Sequence, residues 1–351
     1  MMKAARLLLS FWLFCLIVTG FIHGKAMAQD STIPLTIGPV YPKNQNPQTK
    51  GYFDLSVHAN TKQTLSVKIT NNQDRPVKIS IAPANAFTNP TGGMMYKQNL
   101  DSSDAVLLPD AIKMANYLKV EKSVTVPPSS SVVVPIQLTV PDTGGQNLLG
   151  GILFTIPGTQ TQTKQQAGKG KANFVIKTET VFAVAVQLNL PNKTASHFVV
   201  GNAGFAPNKG TAYIEMANDS QKIQDGVTGT YTVSTNNGKK LFSGQFGPFN
   251  MAPKSKIRYP IQWQNKTLNH GNYLIHLNGK VGDTTLKATK KFTIGSNEVK
   301  QYAQKYNPPQ AATGNKGQPM WVWIGVALLF VIIVVLVGMI VFLMGRAKRK
   351  S

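Results

Sequence analysis

The chain reads as mainly β, two tandem immunoglobulin-like β-sandwiches followed by one C-terminal transmembrane α-helix, and three observations predict this. Short alternating or β-branched runs at 63–70, 77–82, 131–140, 151–156, 174–190, 212–216, 227–234 and 292–294 are separated by Asn, Gly and Pro clusters at sandwich spacing. A segment of the first half recurs in the second. An uncharged apolar run of 25 residues occupies positions 320–344.

The internal match sets the architecture. Residues 126–138 read against residues 251–263, pairing Pro128, Ser130, Pro135, Ile136 and Gln137 with Pro253, Ser255, Pro260, Ile261 and Gln262. Upstream, each copy has a strand running into asparagine, at Asn71-Asn72 and Asn218-Asp219. Downstream, each has a glycine turn (Gly150-Gly151; Gly271), a strand, a polar loop and a closing strand. The two sandwiches therefore occupy 29–190 and 191–296. Proline cannot donate to a ladder, so Pro135 and Pro260 mark strands at an edge or a bulge. Only 109–118 and 298–306 read as helical. The polar loop at 159–171 reads as a hairpin connection.

The two ends place the chain in a membrane. Lys3 and Arg6 precede an apolar stretch at 7–22 and a small-residue cleavage site at Ala26-Met27-Ala28, so residues 1–28 read as a signal peptide. The single cysteine, Cys15, leaves with it, and no disulfide holds the mature chain. As a helix, residues 320–344 rise roughly 37 Å, enough to cross a hydrocarbon core of about 30 Å. Arg346, Lys348, Arg349 and Lys350 crowd one flank and put the tail, 345–351, in the cytosol. Trp321 and Trp323 stand where an outer-interface aromatic belt contacts membrane lipid. Residues 297–319 read as a stalk, and everything before the helix is extracellular on a single-pass cell-membrane protein.

Charge and motifs then exclude function classes. Residues 29–319 carry 30 Lys and Arg against 14 Asp and Glu. Outside the cell, nucleic acid is ruled out as the partner of that surplus. Anionic wall polymers, acidic lipid headgroups and acidic host polysaccharides are the candidates, with simple solubility as the alternative. After cleavage the histidines are His58, His197, His270 and His276, with no metal-ligand spacing on a helix and no acids clustered beside them. No Gly-x-Ser-x-Gly elbow, phosphate loop or retained thiol is present. The chain is expected to be no enzyme, with no cofactor and no metal. Val140-Pro141-Asp142-Thr143-Gly144 imitates a wall-sorting motif, but no apolar segment follows it directly, and it reads as a turn.

Four motifs carry a resemblance. Tyr41-Pro42-Lys43-Asn44-Gln45-Asn46, Gly51-Tyr52-Phe53-Asp54-Leu55, Ala86-Phe87-Thr88-Asn89-Pro90-Thr91-Gly92-Gly93-Met94-Met95-Tyr96 and Leu149-Gly150-Gly151-Ile152 occur in that order. Residues 41–154 thereby resemble the peptidoglycan-binding domain of the WxL-interacting proteins of Gram-positive bacteria. Gly210-Thr211-Ala212-Tyr213-Ile214, Asn218-Asp219, Ala252-Pro253-Lys254-Ser255 and Gly271-Asn272-Tyr273, closed by Phe292-Thr293-Ile294, resemble that family's host-binding domain. The resemblance implies a membrane-tethered surface protein that engages peptidoglycan or another wall polymer and assembles with WxL-domain surface proteins. It also implies host matrix proteins as partners of the second domain. The alternative is an adhesin acting mainly through a host extracellular-matrix protein.

Read physically, Asn44, Gln45, Asp54 and Asn89 offer the donors and acceptors a glycan strand demands, and Tyr52 and Tyr96 offer apolar faces for sugar rings. Tyr52 and Phe53 must alternate across a strand, so one of them belongs to the core. Residues 89–93 are equally explained as turn chemistry needing positive φ.

Overall fold

The computed structural model describes residues 35–158, 161–162, 175–176, 179–263 and 267–306. The expected signal peptide, most of the 159–171 loop, the stalk beyond Tyr306, the apolar run with Trp321 and Trp323, and the basic tail with Arg346, Lys348, Arg349 and Lys350 lie outside them. Among the described residues no helix is long and apolar enough to cross a membrane.

The chain is mainly β and divides into two units. The first comprises residues up to 198 together with 218–225 and 250–256, and the second takes 199–217, 226–249 and the residues from 257 on. In the first, the strands are β1 (Leu35–Val40), β2 (Phe53–Ser56), β3 (Lys62–Asn71), β4 (Val77–Thr88), β5 (Met94–Lys97), β6 (Ala105–Leu107), β7 (Leu118–Lys119), β8 (Ser123–Val126), β9 (Ser131–Thr139), β10 (Asn147–Pro157), β11 (Thr161–Gln162), β12 (Val175–Ile176) and β13 (Glu179–Asn189). One sheet runs β1-β3-β9-β7; the other runs β2-β13-β10-β4-β5, with β8 also on β4. Strict alternation drives the packing. Leu65, Val67 and Ile69 of β3 and Val134, Ile136 and Leu138 of β9 point inward from the first sheet, and Ile79, Ile81, Ile152, Phe154, Val184, Val186 and Leu188 meet them from the second in one apolar core.

Several sequence expectations change in detail. The strand expected at 77–82 continues to Thr88, because β4 keeps pairing with β10 and then β5 there and residues 84–88 are buried on both faces, where the alternation of 77–81 ends. The run expected from Phe174 to Leu190 breaks into β12, which pairs with β11, and β13, which pairs with β10 and β2. The helix expected at 109–118 shrinks to one 3-10 turn at Met114–Tyr117, since the chain there is held by the burial of Met114 rather than by a helical face. Pro135 pairs with Ser66 on β3, while β7 covers only Leu138 and Gln137 of β9, so the proline stands where β9 has one open side.

The recurring segment has a structural cause: a buried asparagine that ties a corner. Asn71 Nδ2 donates to the carbonyls of Arg75, Val126 and Pro127, and its Oδ1 accepts from Gln73 N. Asn218 repeats this, donating to Lys222 O and Ala252 O and accepting from Ser220 N. Ser129 N donates to Gln73 O where Lys254 N donates to Ser220 O, and these matched residues share a left-handed backbone, φ 45° and 49°. Each asparagine thus satisfies carbonyls that no ladder reaches. Replacing Asn71 with Ala is expected to cost about 2 kcal/mol, the penalty for stranding buried carbonyls, measurable by urea unfolding.

In the second unit, β14 (Phe198–Ala206), β15 (Thr211–Asn218) and β18 (Ser255–Gln262) lie side by side, and β16 (Gln224–Thr235), β17 (Lys240–Met251), β19 (Gly271–Val281) and β20 (Thr284–Ile294) form a sheet in the order β17-β16-β19-β20. Trp263 centres its core, edge-on to Phe205, Phe242 and Tyr273 at 5.3–5.7 Å. Helix α1 (Ser296–Tyr306) occupies the first part of the expected stalk and lays Tyr302 against Phe205 at 6.1 Å.

Candidate functional site

All four motifs of the first unit converge on the outer face of the β2-β13-β10-β4-β5 sheet and its rim. The register carries Asp54 beside Gln187, Gly151 between Ala185 and Ala84, and Leu153 between Ala183 and Ala82. Phe53 points the other way and is wholly buried in the core, leaving Tyr52 partly exposed on the rim.

Asp54 is the hinge of this arrangement. The residue is 5 % exposed, and its carboxylate accepts four hydrogen bonds: Asn46 Nδ2 at 2.9 Å and Thr49 Oγ1 at 2.7 Å on one oxygen, Asn189 Nδ2 at 2.6 Å and Gln187 Nε2 at 3.1 Å on the other. Burial opposes the charge, but the hydrogen bonds from Thr49, Asn189 and Asn46 outweigh it and hold the carboxyl below its ordinary range. The network continues through Asn189 Oδ1, which accepts from Asn147 Nδ2 at 2.9 Å, to Asn147 Oδ1, which accepts from Ile223 N. Thus one carboxylate ties the 44–52 loop, β2 and β13 together.

Gln45 and Asn44 serve the same loop. Gln45 Oε1 accepts from Asp54 N at 3.1 Å and its Nε2 reaches Tyr52 O and Thr49 O. Asn44 Nδ2 donates to Ser56 O and to Gln63 Oε1. Tyr41 closes the loop from outside, its hydroxyl accepting from Gly51 N at 2.7 Å while Lys50 sits over its ring. Asn89 caps the β4–β5 turn, its Oδ1 accepting from Thr91 N and Thr91 Oγ1, with Gly92 and Gly93 at positive φ.

The diglycine motif has two causes, one on each face. A Cβ at Gly150 would stand 2.5 Å from Cβ of Met114 inside the core, and one at Gly151 would stand 3.0 Å from Cδ1 of Tyr96 outside it. Tyr96 therefore packs against the sheet over Gly151. Burial, with the neighbouring Tyr52 phenol adding to it, pushes its hydroxyl up to about 12, so the Tyr96 phenol is a neutral hydrogen-bonding group at physiological pH. On one side of Tyr96 the face is covered, where Leu149 and Ala86 pack with Ile223 and Ala252 and where Thr88 Oγ1 accepts from Ala252 N. On the other side Ala82, Leu153, Ala183 and Ala185 remain partly or fully exposed. The result is an open strip, or trough, of the outer face that carries Ala82, Leu153, Ala183 and Ala185 beside Tyr96.

Of the residues singled out in the sequence, Asn44, Gln45, Tyr52, Asp54 and Tyr96 meet in one region; sequence reasoning missed Thr49, Gln187 and Asn189, which donate to Asp54, and Asn147, which donates to Asn189. The alternation of Gln187 and Asn189 with buried Val186 and Leu188 was the available signal. Nearby, Lys254 Nζ bridges Asp110 at 2.6 Å and Asp219 at 2.9 Å, and Asp219 also meets His197 Nδ1 at 3.1 Å. His197 accordingly has an acidic neighbour that its sequence surroundings did not show. Among the described residues no group of three or more His, Cys, Asp and Glu could hold a metal ion.

Comparison with known proteins gives two family matches in chain order. The model described as WxL Interacting Protein, peptidoglycan binding domain, matches residues 35–156, and that described as WxL Interacting Protein, host binding domain, matches residues 171–304. No curated protein matches the sequence. Among solved structures the chain is similar to the class 5 fimbriae chaperone CfaA, with 14% identity, 73% of this chain and 98% of that one covered, and a TM-score of 0.30. It is also similar to the E. coli chaperone DraB, with 13% identity, 74% and 95% covered and a TM-score of 0.28. A third is the CsuC–CsuE chaperone-tip adhesion subunit pre-assembly complex of Acinetobacter baumannii, with 10% identity, 74% and 97% covered and a TM-score of 0.32.

Proposed function

Because the chain belongs to the WxL-interacting protein family, carrying its peptidoglycan-binding domain ahead of its host-binding domain, we propose that it is a membrane-anchored, non-enzymatic surface scaffold of a Gram-positive bacterium. Its two domains are immunoglobulin-like sandwiches, the first reaching wall polymer and the ectodomain meeting WxL proteins or host matrix. The apolar run at 320–344, set in the lipid and flanked by the basic tail, is its anchor.

The observation that carries the wall-binding reading is this trough beside two tyrosines. Tyr52 and Tyr96 present rings and hydroxyls beside Ala82, Leu153, Ala183 and Ala185, so a flat sugar or a peptide stem can lie against the sheet between them. In this reading Asn44, Gln45 and Asp54 position the loop that carries Tyr52, and Asn89 shapes the rim. An adhesin acting mainly on a host matrix protein is the second reading, favoured by the separate host-binding match.

The test is co-sedimentation of the chain with purified peptidoglycan at low and high salt. Charge attraction fades as salt shortens the screening length, whereas contacts in the trough persist. Binding at high salt is expected to survive in the native chain and to weaken about tenfold, about 1.4 kcal/mol, in Tyr52→Ala and in Ala185→Trp, which fills the trough. High-salt binding untouched by both substitutions removes the trough from the site, and no binding at any salt puts the adhesin reading first.

A further inference from the structure

The second unit carries a sheet face of a different chemistry. Along β16, β19 and β20 the buried inward positions are apolar, with Val227, Tyr231 and Val233 facing the core beside Ile275, Leu277, Leu286 and Phe292, while Lys290, opposite Ile275 on the outermost strand, shares their side of the sheet half-buried. The positions between them make up the outer face, and they are threonine, serine, asparagine, one histidine and lysine, with Leu274 the one aliphatic side chain among them. No position of that face between Val227 and Thr235 on β16 or on β19 and β20 is acidic; Asp225, at the start of β16, and Asp283, in the turn joining β19 to β20, stand at one end of it.

Three cations stand on this face. Lys287 lies opposite Asn278 and Lys291 opposite Leu274, while Lys280 lies opposite Thr285 and so diagonally across from Lys287. A diagonal pair is separated at the backbone by about 7–8 Å and residues four apart on one strand by about 13 Å, so the three lysines are set out along the sheet as a series of spaced cations. All three lysines are exposed, and none is paired with a carboxylate among the described residues. Between them the surface is pinned by side-chain bonds: His276 bridges Ser234 at 3.3 Å and Thr289 at 3.0 Å, and Thr293 Oγ1 donates to Asn272 Oδ1 at 2.8 Å.

We propose that this face binds a linear sulfated polysaccharide of the host, a glycosaminoglycan-type chain. The proposal rests on the host-binding reading of the second domain and names the chemistry of its partner. Charge complementarity supports it: a series of unpaired cations on a surface acidic only at one end attracts a polyanion, and lysine's compact charge on a flexible stem follows a chain whose sulfates vary in position. The hydroxyl and amide groups between the lysines match sugar hydroxyls and ring oxygens. A protein partner fits less well, because protein interfaces centre on buried aromatic and arginine anchors and this face has neither.

The test uses the full chain purified in detergent and immobilised heparin as the probe. Lys280→Gln, Lys287→Gln and Lys291→Gln combined are expected to weaken binding at physiological salt at least about tenfold and to flatten its salt dependence. The control combines Lys62→Gln, Lys97→Gln and Lys119→Gln, exposed lysines of the first unit; it removes the same charge and is expected to leave affinity within about twofold. Equal losses in the two triple variants overturn the proposal, since net charge alone then explains binding. Binding to polyglycerol phosphate but not to heparin overturns it by assigning the face to a wall polymer. Capture of a host matrix protein stripped of polysaccharide, with no binding to heparin, overturns it while leaving the host-binding reading intact. Sedimentation with peptidoglycan is expected to be the same for the lysine-face variant and the native chain, so the two domains are read separately.

Discussion

Residues 30–160 expressed alone are expected not to fold, whereas residues 30–190 are expected to unfold cooperatively in urea. The difference is β13. It stands between β2 and β10, pairing with β10 over the whole of Asn147–Pro157 and with β2 in parallel, and it supplies Val184, Val186 and Leu188 to the core. Removing it strands β2, opens a long edge on β10 and empties three core positions, each of which is worth about 2–4 kcal/mol. A sum of that size consumes most of the 5–15 kcal/mol typical of a domain. Circular dichroism and urea titration of the two chains decide the matter; coincident transitions at one midpoint would show that β13 is dispensable.

Asp54→Asn is expected to cost about 3 kcal/mol and to loosen the 44–52 loop. The substitution keeps the shape but replaces a carboxylate that accepts four hydrogen bonds with an amide that must donate on one side, and hydrogen bonds to a buried charge are worth about 1.5–3 kcal/mol each. Amide flips of Gln187 or Asn189 recover part of that, which keeps the figure below the full sum. For a unit of this size the loss lowers the melting temperature by about 6–12 °C. The pH dependence has a definite sign. Because the folded carboxyl titrates below its unfolded value of 3.8, its stabilisation is fully present above that value and is lost as pH falls through the lower folded value. The melting-temperature gap between native chain and variant is therefore expected to be constant above about pH 5 and to close below about pH 4. A gap that stays constant to pH 2 would mean that the charge contributes nothing.

The loosened loop connects this prediction to binding. Tyr52 follows directly on the segment that Asp54 anchors through Asn46 and Thr49, so Asp54→Asn is expected to weaken peptidoglycan binding through the position of Tyr52 rather than through a lost contact. Raising stability with an osmolyte should then recover some binding in Asp54→Asn and none in Tyr52→Ala.

The mainly β class, the strand-to-asparagine corners and the recurring segment were legible in the sequence because each rests on local chemistry. Two-residue alternation reports which face of a strand is buried, and the Pro-x-Ser pattern marks the left-handed corner at Ser129 and Lys254 that a buried asparagine then ties. The motifs that carry Asn44, Gln45, Asp54 and the two tyrosines were also legible. What those residues do was decided by tertiary structure alone. A carboxylate has the same letters around it whether it faces solvent or four donors, and the donors to Asp54 come from positions 46, 49, 187 and 189, the latter two over 130 residues away. Likewise, a pair of glycines reads as a turn until Met114 is found pressed on one and Tyr96 on the other within a continuous strand. Register between distant strands sets these meetings, and register depends on how the whole sheet buries its inner face, which no single segment encodes.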